Sequence, residues 1–431
     1  MCQGERKCKG ALQERGALFE SGIKRITILG GGPAGFRAAE VAVAGGAKVT
    51  VYDAKPSVGR KFLVAGRGGL NLTHTEAKER FVSRYSGGND ADGLWNSLLQ
   101  DFDSEALRGW AKELGVETFV ATSGRVYPKE MKAAPLLRRW VQRLRATGVE
   151  FAMGHRWTGL KMGARWQVEF LVGGEKKVCE ADAVVMALGG GTWPETGSDG
   201  GWVSVLEKMG IAVAPLVASN CGWEVGWAGA VLVQAEGKPL KNITIRVGEA
   251  VASGELMVTC YGLEGGAIYQ LGPTLRGMKE PEIVIDFKPT HTVEQLVKKL
   301  GSCRENYLGE ARARWRLGEA AMAILGNQDG AGWVKSAEQL ARVVKGCVVK
   351  LKGPRPLAEA ISSAGGVSWS ELDDSLMLKR CPGVFLAGEM IDWDAPTGGY
   401  LIQGCFATGT RAGEGAGKFT HAKAAKGDRN V

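Results

Sequence analysis

Residues 24–53 read KRITILGGGPAGFRAAEVAVAGGAKVTVYD, and this stretch decides the fold. Ile26 to Leu29 form a short apolar run of the kind buried in a parallel strand. Gly30, Gly32 and Gly35 then fill a Gly-x-Gly-x-x-Gly turn, with Pro33 and Ala34 inside it, and a helix of small residues follows. Gly30 permits the tight turn, Gly32 lets backbone approach a pyrophosphate, and Gly35 lets helix and strand pack closely. Val49 to Tyr52 make a second strand that ends at Asp53, about 20 residues past the glycines, where an acid can accept hydrogen bonds from an adenosine ribose. A lone glycine motif is weak. Strand, turn, helix, strand and acid in register point to a dinucleotide, its phosphates at the helix N-terminus.

Bulk properties set wide limits. A chain of 431 residues suggests two or three domains at about 150 residues each. The 45% apolar and 23% charged content is that of an ordinary globular protein, and 64 glycines cluster in turns rather than in a repeat. No run approaches the roughly 20 apolar residues of a membrane span, so no membrane role is expected. Nine scattered cysteines without a Cys-x-x-Cys pair argue for a reducing compartment and against a zinc ribbon or dithiol relay. Residues 1–22 lack the apolar core of a secretory signal and read as a disordered tail, making a cytoplasmic location the default. The net charge of +9 fits either a nucleic-acid surface or a solvated basic surface. Basic residues alternate with acids along the chain, which favours the second reading and disfavours nucleic acid as a partner.

Beyond Asp53, KPSVGRKFLVAGRGGLNLTH (55–74) reads as a long connection rich in glycine and basic residues. Residues 91–115 and 133–146 carry helical apolar stripes. Val149 to Met153 begin a β-ribbon continued by 155–160 and 167–172, and Lys177 to Leu188 supply one buried strand ending at Gly189. From Trp193 the pattern changes. Residues 211–290 alternate β-type runs with turns, 292–345 read mostly as helix, and the strand at 384–387 leads into a glycine-bounded loop and a last helix. The chain therefore divides into a tail (1–22), a discontinuous domain (23–194 and 356–418), a β-rich insert (195–291) with a helical part (292–355), and a second tail (419–431).

Three further segments lie at strand ends, where an open α/β sheet places its ligand. They are VVMALGGG (184–191), VFLAGEMID (384–392) and PTGGYLIQGCF (396–406). Glu389, next to Gly388, can bond a polyol hydroxyl or serve only as a surface acid. Gly398 and Gly399 open a helix whose free N–H groups suit the electron-rich edge of a flavin. Read with residues 24–53, these segments suggest a ligand longer than NAD lying across the sheet, namely FAD. Arg60, Lys61 and Arg67 add positive charge for phosphates or a substrate anion, while Gly66, Gly68 and Gly69 let backbone approach a planar ring.

The blocks GGGPAG (30–35), GRKFLVAGRGGLNLTH (59–74), GRVYPKEMKAAPLLRRW (124–140), ALGGGTWPETGSDG (187–200), GELMVTCYGLEGGAIYQL (254–271) and GVFLAGEMIDWDAPTGGYLIQGCFATG (383–409) resemble the BaiN-like, aminoacetone-oxidase-like family of bacterial flavoproteins. The resemblance implies an α/β fold: a discontinuous FAD-binding Rossmann-type domain with an inserted β-rich and helical domain. It also implies that Asp53 holds the adenosine ribose and that Gly59, Arg60 and Lys61 line the pyrophosphate and ribityl region. By the same resemblance Asn71 lies near the isoalloxazine, Glu389 bonds the ribityl chain, Gly398 to Leu401 cap the ring, and Trp157 offers backbone bonds to adenine. Some relatives carry a histidine where this chain has Cys260.

The expected function is FAD-dependent hydride transfer between flavin N5 and a small organic substrate, with two directions open. One is an amine oxidase using oxygen; the other is an NAD(P)H-dependent reductase of an apolar enone, with NAD(P)H as a transient donor. A flavin-dependent tRNA-modifying or RNA-binding protein is a third reading, motivated by the charge. Tyr400 is a candidate to orient substrate or simply to pack, and Arg125 to pair with a substrate carboxylate or with a structural acid. The four histidines lack metal-ligand spacing, and no metal is expected. The sequence leaves the oligomeric state open.

Overall fold

The computed structural model describes residues 23–65, 68–87, 91–303, 305–328 and 334–420; the tails at 1–22 and 421–431, and the expected roles of Gly66 and Arg67, lie outside them. A five-stranded parallel sheet forms the centre of the first body, in the order Val384–Leu386, Ala183–Met186, Arg25–Leu29, Lys48–Asp53, Glu150–Met153. Strand Arg25–Leu29 sits in the middle, with Ile28 opposite Val51 on one side and Val185 on the other. Ile28, Val51 and Val185 are fully buried, which is why these strands read as unbroken apolar runs.

Two strand assignments shift. Glu150–Met153 joins the parallel sheet beside Lys48–Asp53 rather than the β-ribbon, and the ribbon is Arg156–Met162, Trp166–Val172 and Glu175–Ala181. The expected single strand at 177–188 is therefore two strands in two sheets, Glu175–Ala181 in the ribbon and Ala183–Met186 in the centre. Apolar continuity hid the break because both sides of Asp182 are strand. The 55–74 connection also holds a short helix, Arg60–Ala65, and residues 91–115 form two helices, the second capped by the Asp103 side chain on Ala106 N.

The second body is a seven-stranded antiparallel sheet covered by helices, running from strand Trp223–Glu224 to strand Gly353–Pro354. Its own core includes Ile245, Val258, Leu296 and Val344. The expected start of the insert moves as a result, while its end after Pro354 stays at the expected 355. Residues 195–219 belong to the first body, since Trp202, Leu206 and Ile211 join its core and strand Val213–Ser219 pairs with Ser362–Val367. The helical part ends at Lys345, and strand Cys347–Lys350 pairs with Glu282–Asp286 at one edge of the insert's sheet.

The helix after the glycine turn, Pro33–Ala44, packs along the last helix, Tyr400–Lys418. Glycine sets their separation: a Cβ on Gly409 would lie 2.5 Å from Ala34 O, and one on Gly413 would lie 2.7 Å from Ala38 O. Gly417, one turn further on, has open space around it. Gly409→Val is therefore expected to cost about 1–3 kcal/mol by overpacking, whereas Gly417→Ala is expected to be neutral or stabilising by up to about 1 kcal/mol. Paired thermal melts of the two variants check this.

Candidate functional site

The glycine turn is held from three sides. Gly30 takes φ +106°, and a Cβ there would lie 2.2 Å from Ala187 O at the exit of the neighbouring strand. Its N–H donates to Tyr52 O at 2.8 Å, tying it to the other neighbour. A Cβ on Gly35 would sit 2.0 Å from Gly30 O and 3.2 Å from Ile28 Cγ2. Gly35 thus closes the turn on itself first, and brings the helix onto the strand second. Gly32 differs: nothing lies within 4 Å of its Cβ position. It is the N-cap of helix Pro33–Ala44, with no side-chain cap and no acid in the first turn. That leaves a positive helix end open to an anion.

Asp53 is fixed at the end of its strand. Its Oδ2 accepts from Gly31 N at 2.9 Å and its Oδ1 from Lys55 N at 2.8 Å. Burial pushes this carboxyl up, against the opposing effect of the two amide bonds. Two of its roughly four acceptor positions are used, leaving the others for a ligand hydroxyl.

A groove begins here and has two chambers. The first is lined by Gly30, Gly32, Pro33, Ala34 and Asp53, by Gly59, Arg60 and Lys61, and by Trp157, Gly189, Gly388 and Glu389. The second, of about 430 Å³, falls within the roughly 300–1,000 Å³ of small-molecule sites. Asn71, Gly398, Gly399 and Leu401 line it, among the apolar side chains of Phe62, Leu70, Trp193, Ile361 and Trp393. Pro33, Lys61, Phe62, Glu389 and Cys405 line both chambers, so the two are continuous. At this junction Lys61 Nζ donates to Glu389 Oε2 at 2.8 Å and to Thr192 Oγ1 at 2.5 Å, while Glu389 Oε1 accepts from Ser363 N at 2.9 Å.

The loop before the last helix closes the second chamber. Gly399, at φ +101°, would place a Cβ 2.5 Å from Thr73 Cα, so only glycine fits against strand Thr73–His74. Thr397 N donates to Asn220 Oδ1 at 3.1 Å, and Asn220 Nδ2 donates to Ala395 O at 2.8 Å. Next to them the buried Asp394 accepts from Ser219 Oγ and Arg276 Nη2, each at 2.6 Å.

Four buried polar atoms without a hydrogen-bond partner belong to residues that line this groove: Trp157 Nε1 and Ser198 Oγ in the first chamber, Asn71 Oδ1 and Trp193 Nε1 in the second. Each such atom costs about 1–3 kcal/mol if left unpaired, so the residues of the groove hold unused hydrogen-bonding capacity. Trp193 also holds φ +58°, an uncommon conformation for an aromatic residue and one that clusters at functional sites. The 187–200 block contained Trp193, Thr196 and Ser198, but nothing in residue type or spacing separated them from an ordinary strand exit. His155 and Cys405, which also line the groove, carried no sequence signal.

Two candidates lie elsewhere. Tyr400 lines neither chamber; it is 4% exposed, stacks on His74, and donates its hydroxyl to Glu76 Oε1 at 2.5 Å. Its side chain packs at the start of the last helix, which corrects the substrate-side placement of its hydroxyl, while its backbone opens that uncapped helix beside Gly399. Burial alone would raise Glu76, but its bonds to Arg84 and Tyr400 hold it below the usual carboxylate range. Arg125 stands beside the cap, its Nε 3.7 Å from the Cβ position of Gly398, outside the walls of both chambers. Cys260 is exposed and lines neither chamber. Among the described residues no group of three His, Cys, Asp or Glu side chains is disposed to hold a metal, and no helix is long and apolar enough to cross a membrane.

Comparison with known proteins agrees with the fold. Residues 24–415 match the HI0933-like protein Rossmann domain. A 3-dehydro-bile acid delta(4,6)-reductase of Clostridium scindens is 29% identical over 415 residues, spanning 91% of this chain and 99% of its own. Among solved structures, a 3-ketosteroid-delta4-(5alpha)-dehydrogenase from Rhodococcus jostii RHA1 aligns with a TM-score of 0.52 at 14% identity, over 94% of this chain and 99% of that one. A flavocytochrome c3 fumarate reductase aligns at 0.50 with 16% identity, over 92% and 78%. These two likenesses carry the fold alone.

Two outcomes follow from the packing. Gly32→Ala should fold with an unchanged melting temperature when ligand-free yet lose its dinucleotide, because its methyl enters only the open space, whereas Gly30→Ala should fail to fold stably; absorbance of copurified cofactor and thermal melts separate the two. Tyr400→Phe should retain the cofactor and lose about 1.5 kcal/mol at neutral pH, the low end because Arg84 still satisfies Glu76. Since the Glu76 carboxyl is held low, that penalty should shrink as pH falls through its folded-state value, which denaturant melts across acid pH would follow.

Proposed function

The chain belongs to the HI0933-like Rossmann family, and on that premise we propose that it is an FAD-dependent oxidoreductase reducing a carbon–carbon double bond conjugated to a carbonyl in an apolar substrate. The observation that carries the reading is the groove itself: a phosphate cradle and a fixed carboxylate at one end, an apolar chamber with unpaired polar atoms at the other, joined at Lys61 and Glu389. A dinucleotide with a planar ring system has this shape and this alternation of charge.

In this reading Gly32 to Ala34 and the bare helix end hold the pyrophosphate, and Asp53 takes the adenosine ribose. Gly59, Arg60 and Gly189 line the same chamber, with Trp157 beside the adenine. Lys61 and Glu389 exchange part of their mutual pairing for the ribityl hydroxyls, and Asn71 with Gly398, Gly399 and Leu401 meets the ring. When bound, FAD supplies two-electron hydride chemistry at N5. The helix opening at Gly399, which has no side-chain cap, directs free N–H groups toward negative charge on the pyrimidine edge. Phe62, Leu70, Ile361 and Trp393 exclude water and select an apolar substrate.

The reductase direction is favoured over the amine oxidase by the wall chemistry. Among the described residues, Glu389 is the one carboxylate lining the second chamber, and Lys61 and Ser363 N already engage it. A substrate ammonium would find no free acid there. The 29% identical relative is named as a bile acid reductase, which accords with an apolar enone. NAD(P)H is the proposed electron donor, acting transiently, since no second intact glycine fingerprint follows a strand.

Anaerobic spectroscopy tests this. The purified protein should show an oxidised flavin band at about 450 nm, bleached by NADH or NADPH and restored on adding a steroid-like enone. Bleaching by a small amine and by neither nicotinamide would overturn the reductase direction, and absence of bound flavin would overturn the cofactor assignment with it.

A further inference from the structure

A second concave site lies on the insert, between the hairpin of strands Pro239–Val247 and Ala250–Val258 and the segment 287–291 with the end of helix Tyr307–Arg314. Its volume is about 1,150 Å³. Lys241, Lys288, Lys299, Arg314 and Arg316 line it together with His291, against a single lining acid, Glu255. Arg314 is paired with Glu310, and the nearby Asp286 is taken by Lys345. Among the described residues the other four cations have no ion-pair partner.

The cations are also pressed together. Lys288 is part-buried, and burial, with the charges of Lys299 and Arg316, pushes its ammonium below the usual lysine range. Lys299 Nζ lies 2.6 Å from His291 Nε2, whose other nitrogen contacts Thr290 Oγ1 at 3.0 Å. An ammonium has no lone pair, so Nε2 accepts and the ring proton sits on Nδ1. His291 thereby orients the Lys299 charge without neutralising it.

Arg316 adds an independent observation. It holds φ +51° directly after the helix, with Leu317 N bonded to Arg312 O and Arg316 N to Ala313 O. This is the Schellman arrangement, whose left-handed position glycine usually fills. Here an arginine takes the strained position and stands on the groove wall. Asn242, also at positive φ, sits on the opposite wall at a register shift in the hairpin. Strained residues on both walls of one basic cleft are the pattern expected of a binding site.

We propose that this cleft binds a diphosphate-type group of a small phosphorylated metabolite. Uncompensated cations held at close range are relieved by a multivalent anion, and an arginine beside lysines suits phosphate oxygens. Single-stranded RNA is the weaker candidate, because the aromatic residues of the cleft, Phe287 and Trp315, are each 3% exposed and provide no stacking platform. The site is separate from the groove of the first body and shares none of its lining residues.

The test is calorimetric titration of the full chain with pyrophosphate, with ATP and an RNA oligonucleotide as competitors, in wild type, Arg316→Gly and Lys299→Gln. Pyrophosphate should bind, and each substitution should weaken it about tenfold or more. Arg316→Gly should melt no lower than wild type, because glycine relieves the left-handed strain, and both variants should keep the wild-type flavin spectrum. Absence of pyrophosphate binding at millimolar concentration, or equal affinity in all three proteins, would overturn the proposal. So would RNA binding that pyrophosphate does not displace.

Discussion

The clamp on Gly30 governs the first body. Its backbone is pinched between Tyr52 O, which accepts its N–H, and Ala187 O, 2.2 Å from where a side chain would begin. Three parallel strands can end at one point only if the residue there has no side chain and can take a positive φ. Once they converge, the following helix has one direction available, and its first turn is aimed along the groove. Gly35 against Gly30 O and Gly409 against Ala34 O repeat the demand one and two layers out. The last helix is thereby brought to the same point, although more than 350 residues separate Gly409 from Gly30 in sequence (409 − 30 = 379).

That convergence explains how a discontinuous chain makes a continuous site. The first chamber draws on residues from 29–62, 155–157, 187–198 and 387–405, delivered by exits of the central strands, by helix Arg60–Ala65, by the ribbon at Trp157 and by the last helix at Cys405. The second chamber needs the insert as well, though the insert contributes no wall to it. Arg276, at the end of a helix on the insert, bonds Asp394, and Asn220, just before the insert's first strand, bonds Thr397 and Ala395. The cap loop is therefore held from the insert through Arg276 and from the junction just before it through Asn220. Because Asp394 and Asn220 are buried, these bonds are shielded from water and screened little by salt.

Legibility in the sequence followed the range of the interactions. The 24–53 unit was readable because its own signals, apolar runs, turn glycines and a terminal acid, fall within 30 residues, even though Ala187 and Gly409 also press on it. The cap glycines were readable for the same reason, and the resemblance placed Asn71 beside them. What escaped depended on partners distant in sequence. Nothing near Tyr400 announces Glu76, so a tyrosine beside two site glycines looked functional until its hydroxyl proved to be engaged. Nothing in 195–219 announces its pairing with 362–367, so the insert was started too early. Trp193 was invisible in another way: its interest lies in a backbone angle and an unpaired indole N–H, and neither has a compositional signature.

The two concave sites handle charge in opposite ways, and the contrast is informative. In the groove of the first body the acids and one lysine are already answered: Lys61 by Glu389, Asp53 by two backbone amides, Glu389 by Ser363 N as well. Such a site is pre-organised, and its ligand exchanges existing bonds for new ones, so it gains affinity from shape and from the few atoms left unpaired. On the insert, Lys241, Lys288, Lys299 and Arg316 share a cleft with one lining acid, Glu255, and make no ion pair among the described residues; Lys288 Nζ is met by a carbonyl, Arg316 O. Excess charge spread over a solvated surface would cost little, since water and salt screen it. Concentrated in a cleft, where burial first and the neighbouring Lys299 and Arg316 second depress Lys288, the same charge is costlier to hold, and an anion bound there would offset that cost.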